Sequence, residues 1–200
     1  MKKLFAVIAL LLWFQPAAAG ELSQGISAYR ARNYETAVAL IMPLAERGNP
    51  YAQFTLGAMY DNGVGVPRNF GLALAWYKRA GNQGLADGQY MAGRFYGSGR
   101  GVRQDPARAL YWFELAASGG HPQAPLLRDQ HYNQLKDVVR QRVVADATAW
   151  QARHPTQLRC NVTRCVYPAW TRRPGWTPFD QQFFYPGYNS EQFFSTPSYY

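Results

Sequence analysis

The sequence predicts an all-α fold, a short solenoid of stacked helix pairs, and three observations predict it. Residues 52–84 return 36 positions later as 88–120. Gly57 lies over Gly93, Tyr60 over Tyr96, Gly63 and Gly65 over Gly99 and Gly101, Ala73 over Ala109, and Trp76 over Trp112. An unbroken offset of that length marks a repeat architecture. In each copy the apolar residues recur at i, i+3, i+4 and i+7, the spacing of a helix with one buried face. The loops NGVGV (62–66) and SGRGV (98–102) divide each copy into two helices and place glycines where positive φ is needed.

Taken in order, residues 21–49 form a degenerate first unit. Its A-helix runs over Leu22–Arg30. Its B-helix starts at Tyr34, capped by Asn33, with Ala37, Leu40, Ile41 and Leu44 on one stripe. The same stripe is Ala73, Trp76, Tyr77 and Ala80 in the second unit and Ala109, Trp112, Phe113 and Ala116 in the third. Aromatic residues at this spacing are core. Pro43 interrupts the hydrogen-bond ladder of the first B-helix. The A-helices of the full units span Tyr51–Asp61 and Asp87–Gly97, and their small residues Ala52, Gly57, Gly88, Ala92 and Gly93 let backbones approach closely. Asn69 and Asp105 are N-caps, and Pro106 suits a first helical position. One such unit buries too few side chains to fold alone, so neighbours must stack.

The pattern ALGxMYxxGxGVPxx…AxxWYxxAAxxG resembles the SEL-one-like repeat family, a branch of the tetratricopeptide-type solenoids. Leu56-Gly57, Met59-Tyr60, Gly63, Gly65-Val66-Pro67, Ala73, Trp76-Tyr77, Ala80 and Gly84 carry the resemblance. Residues 88–120 depart from it at Ala92 and Arg103, and the first unit matches only in its B-helix. The resemblance covers residues 21–155 and implies antiparallel pairs wound into a right-handed superhelix, with the A-helices on the concave side.

Residues 1–19 read as a signal peptide: Lys2 and Lys3, an apolar run of 11 residues over Leu4–Phe14, Pro16, then Ala17-Ala18-Ala19 before the cut. As a helix that run spans about 16 Å, too short for a hydrocarbon core of about 30 Å. No cysteine lies near the cut, so a lipoprotein is not expected, and the mature chain is expected in the periplasm. Loss of Lys2 and Lys3 takes the net charge from +9 to +7. That balance favours anionic partners such as acidic proteins, anionic envelope glycans or membrane headgroups; export argues against nucleic acid.

The repeats give way to a short helix over Pro122–Gln130 and a longer one over His131–Arg153, with Leu135, Val139, Val143 and Trp150 on one side. The solenoid domain is taken as residues 20–155 and the tail as 156–200. Cys160 and Cys165, the chain's 2 cysteines, are expected to form a small disulfide. A redox pair or half of a metal site has no support in their spacing. Residues 166–200 hold 12 aromatics and 5 prolines, an irregular segment. It could strap along its own solenoid, order on a partner, or stack on glycans or a membrane surface through Trp170, Trp176, Phe183, Phe184, Phe193 and Phe194.

No catalytic constellation is present in the sequence. His121, His131 and His154 each fall near a helix end as surface or capping groups, the 12 acids are scattered, and the glycine pairs at 63/65 and 99/101 are turns because they repeat. The expectation is a monomeric, non-enzymatic protein without cofactor or metal, binding a protein or peptide through its solenoid and its tail. An envelope glycan or membrane surface is the alternative ligand. Contact falls to the less regular A-helix positions Gln53, Ala58 and Asp61, and Gln89, Tyr90 and Arg94. Arg94, Arg100 and Arg103 are basic residues where the repeat breaks its own pattern.

Overall fold

The computed structural model describes residues 17–154 and the backbone of 160–161 and 164–165. Eight helices make up the described solenoid: α1 (Ala17–Arg30), α2 (Tyr34–Glu46), α3 (Pro50–Asn62), α4 (Phe70–Asn82), α5 (Ala86–Ser98), α6 (Pro106–Ser118), α7 (Ala124–Gln134) and α8 (Asp137–Arg153). Each helix from α1 to α6 packs on the next, and α6 packs on both α7 and α8. Two-residue strands β1 (Cys160–Asn161) and β2 (Arg164–Cys165) follow, antiparallel, with Cys160 opposite Cys165.

Local chemistry sets the helix starts. The Asn33 side chain accepts a hydrogen bond from Thr36 N–H, Asn69 from Leu72 N–H and Asp105 from Arg108 N–H. These satisfy donors that the first turn would otherwise leave unpaired. Asn49 caps α3 in the same way. Pro50 and Pro106 open α3 and α6. The loops of the two full units are congruent: Asn69 N–H donates to Tyr60 C=O and Asp105 N–H to Tyr96 C=O, both at 2.9 Å. Gly65 and Gly101 have φ of 73° and 67°, and a Cβ on Gly101 would stand 2.5 Å from that of Phe70. Glycine there lets each loop lie against the start of a B-helix.

Glycine also fixes the spacing between helices. A Cβ on Gly57 would stand 2.9 Å from the Tyr77 ring, and one on Gly93 would stand 2.7 Å from the Phe113 ring. Tyr77 and Phe113 are wholly buried. The propensity cost of glycine in a helix, about 1 kcal/mol against alanine, is thereby offset by ring-on-backbone packing. The core forms two clusters. One joins α1, α2 and part of α3; the other runs from Phe54 to Ala147; Tyr51 and Tyr60 touch both.

Three expectations need correction. Helix α1 begins at Ala17 rather than Leu22. Trp76 is only half-buried, with the Arg79 guanidinium 4.3 Å from its ring, whereas Trp112 is 6% exposed. Trp112 lies against Gly81, where a Cβ would stand 3.0 Å from its ring. The residue equivalent to Gly81 one unit earlier is Ala45, which carries a methyl group at that place. The last two helices divide at Leu135–Lys136 and not at His131. Helix α7 is a degenerate A-helix in the same 36-residue register: it ends at Gln134 as α5 ends at Ser98. His131 takes the place of Phe95 and packs 5.2 Å from the Phe113 ring, as Phe95 packs 5.5 Å from the Tyr77 ring.

Candidate functional site

The six A-helix positions expected to contact a partner divide sharply. Gln53, Ala58, Asp61 and Gln89 are buried, at 5%, 1%, 3% and 2% exposure, and this corrects the expectation that they face solvent. Helices α3 and α5 are each packed between two B-helices, so little of their circumference stays open. Tyr90 and Arg94 keep partial exposure.

Gln53 and Gln89 do equivalent structural work. Gln53 Nε2 donates to Ala45 C=O and Gln89 Nε2 to Gly81 C=O, each at 3.0 Å. Each amide thus satisfies a last-turn carbonyl of the preceding B-helix. The acceptor ends differ. Gln53 Oε1 accepts from Gln83 Nε2 at 2.7 Å, while Gln89 Oε1 has no partner, the residue equivalent to Gln83 being Gly119. A buried group left unmatched costs about 1–3 kcal/mol. Gln53→Leu breaks two hydrogen bonds, while Gln89→Leu breaks one and removes an orphaned acceptor. Urea unfolding should therefore show Gln53→Leu as the more damaging change, by about 1 kcal/mol. Equal losses would contradict the asymmetry.

Asp61 is the buried centre of a charged junction between the two full units. Arg100 Nη2 approaches Asp61 Oδ1 to 2.9 Å, an ion pair whose angle is not that of a hydrogen bond. The Tyr77 hydroxyl hydrogen-bonds to the carboxylate, and Arg94 and Arg68 also act on it electrostatically. Burial still outweighs these favourable charges and holds the carboxyl above its usual range.

Above α5 stands a second polar group that periodicity did not reveal. The His121 ring stacks on Tyr90 at 3.9 Å and 14°, and the Tyr90 hydroxyl donates to Gln123 Oε1 at 3.0 Å. His121 Nδ1 accepts from Gln123 N–H, and Nε2 lies 3.7 Å from Asp87 Oδ1. The His121 side chain is 9% exposed, so its expected place on the surface is corrected as well. Burial, aided by Arg94, lowers its pKa to about 4. Burial pushes Asp87 up to about 6, but its side chain keeps 49% of its surface in solvent, which discounts that shift. His131 and His154 are both half-buried: Nδ1 of each lies 2.8 or 2.7 Å from a backbone oxygen four residues earlier, and His154 stacks on Trp150.

Among the described residues no group of three His, Cys, Asp or Glu side chains could hold a metal ion. No described helix is long and apolar enough to cross a membrane. Residues 1–16 of the expected signal peptide, Trp170, Trp176, Phe183, Phe184, Phe193, Phe194 and the side chains of Cys160 and Cys165 lie outside the described residues.

Helix pairs stacked in register, with helices covered on both sides and loops in congruent positions, define an α-solenoid of the interaction-repeat class. Residues 50–85 and 86–121 each match the Sel1 repeat, and their boundaries coincide with α3–α4 and α5–α6. The structure is similar to that of a Sel1 repeat protein from Oxalobacter formigenes, at 29% identity and a TM-score of 0.54, over 63% of this chain and 55% of that one. It also shares the fold of c5321, a protective antigen present in uropathogenic Escherichia coli strains displaying an SLR fold. There the identity is 23% and the TM-score 0.62, over 76% of this chain and 36% of that one. The chain thus spans 55% and 36% of these two relatives' lengths. No curated protein matches it. Two Sel1 repeats, in a fold shared with these solved structures, make the chain a solenoid that carries Sel1 repeats, and such repeats generally mediate protein–protein interaction.

Proposed function

We propose that this protein is an exported, non-enzymatic scaffold that holds a protein or peptide partner against the A-helix face of its second full repeat. The observation that carries this reading is the accessibility of Tyr90 and Arg94 where the other expected contact positions are buried. Tyrosine and arginine are the residue types that concentrate binding energy at interfaces. Tyr90 is also held by its stack on His121, so little side-chain freedom is left to lose on binding. The sequence of residues 1–19 supports export to the periplasm.

A photo-crosslinking amino acid placed at position 90 in intact cells should give a discrete protein adduct in the periplasmic fraction. The same probe at Lys78, on α4, should give none. Absence of an adduct at position 90 under native expression sinks the scaffold reading. A cytoplasmic chain that retains residues 1–19 sinks export.

A further inference from the structure

Resting on that reading, a further inference concerns the partner's charge. Four of the equivalent pairs at which the two full repeats differ in charge lie close together: Asp61 against Gly97, Ala58 against Arg94, Val64 against Arg100, and Arg68 against Gln104. The four charged members come from four segments, α3, α5 and the two hairpin loops, yet they meet at one junction. Arg100 pairs with Asp61 at 2.9 Å, and Arg68 and Arg94 act on the same carboxylate. The frame does not need this cluster. At the equivalent junction the acid is absent, and His131 Nε2 lies 2.6 Å from where a Cβ on Gly97 would stand.

One guanidinium neutralises one carboxylate, and Arg100 already does so. Arg68 and Arg94 add further positive charge to the same junction. Aromatic rings hold all three. Arg100 lies 4.2 Å from the Phe70 ring centre, Arg68 lies 5.4 Å from that same ring, and Arg94 lies 5.8 Å from the Tyr90 ring. Two cations gathered on one ring repel each other, and an incoming anion relieves that repulsion. Guanidinium forks set in place by rings match planar carboxylates in two-point geometry. The patch is one repeat junction wide, the scale of a few side chains rather than of a bilayer surface.

We propose that this junction recognises an acidic peptide segment of a protein partner, with Arg68 and Arg94 taking its carboxylates while Arg100 stays on Asp61. The test uses the full chain and a fluorescein-labelled peptide of alternating Glu and Gly residues, read by anisotropy, with a Lys/Gly peptide of equal length beside it. Arg68→Gln with Arg94→Gln should weaken binding of the acidic peptide by about tenfold or more. Lys136→Gln with Arg142→Gln, which removes the same charge from the region of α8, should change it less than about twofold. Arg100 is left alone, because its removal would strand a buried carboxylate, and thermal melts of both double variants verify folding.

Equal weakening by the two double variants would show general charge attraction and overturn the proposal. So would equal binding of the Lys/Gly peptide, no binding of the acidic one, or binding only to vesicles of phosphatidylglycerol and phosphatidylcholine. The position-90 adduct separates the two levels. An adduct with no acidic-peptide binding removes only the charge preference; no adduct removes the A-helix face of the second full repeat as a binding face.

Discussion

Phe113→Ala should lower the unfolding free energy by about 3–5 kcal/mol, read by urea denaturation of the full chain. Phe113 is 0% exposed and sits where α5, α6 and α7 meet. Its ring lies against the Gly93 backbone of α5, packs 5.9 Å from the Tyr90 ring, and packs 5.2 Å from the His131 ring of α7. The neighbours cannot collapse into the vacancy, because Gly93 has no side chain to swing and α7 is held by its own helix. Trp76→Ala serves as the comparison. It removes a larger side chain, but one that is half-buried under Arg79, so its cost should be smaller. A Phe113→Ala loss below that of Trp76→Ala would mean that α7 closes the solenoid by some contact other than this ring.

That ring also shows how far the sequence could be read. The 36-residue offset placed Phe113 over Tyr77 and both in the core, and the structure has them there. The caps Asn33, Asn69 and Asp105 were legible for a local reason: a hydrogen bond to the third following N–H depends on a few adjacent residues. Helix α7 was not legible as an A-helix. It keeps the register but lacks the glycine loop and the small residues that advertise it, and a histidine stands at its Phe95 position. The A-helix positions failed for a related reason. Sequence periodicity assumes one wet face, whereas α3 is covered by α2 and by α4, and nine of its 13 residues are buried. A polar residue in such a helix reads as solvated, yet Gln53 and Gln89 are buried hydrogen-bonding groups and Asp61 is a buried ion. Only pairing across the repeat reveals them: Gln53 and Gln89 recur because a helix end must be satisfied in every unit, and Asp61 does not recur.

His121 should make the protein acid-sensitive, and the sign follows from its neighbours. Its pKa falls from 6.5 to about 4 because the ring is buried and Arg94 is near. Nδ1 already accepts Gln123 N–H, so protonation there would set two donors against each other. The unfolded chain therefore binds a proton near pH 6.5 while the folded chain refuses it until about pH 4. Stability from this group is intact at neutral pH and is lost as pH falls through that window, by about 3 kcal/mol in full. Asp87, raised toward 6, and Asp61, raised above its usual range, act in the opposite sense. Their folded forms take a proton before their unfolded forms, so each favours the folded state as pH falls through its own window. A bare pH titration of stability mixes these three groups. The difference between the wild-type chain and His121→Phe, which keeps an aromatic ring beside Tyr90, removes the two carboxylates to first order. That difference should shrink steadily from pH 7 to pH 4.5 as the wild-type chain loses its advantage. Parallel curves would show that His121 titrates as a free histidine and that its stack on Tyr90 does not exclude water. Since Arg94 both depresses His121 and lies in the proposed carboxylate patch, an acidic peptide bound there should weaken that depression, so bound protein should lose less stability in acid than free protein.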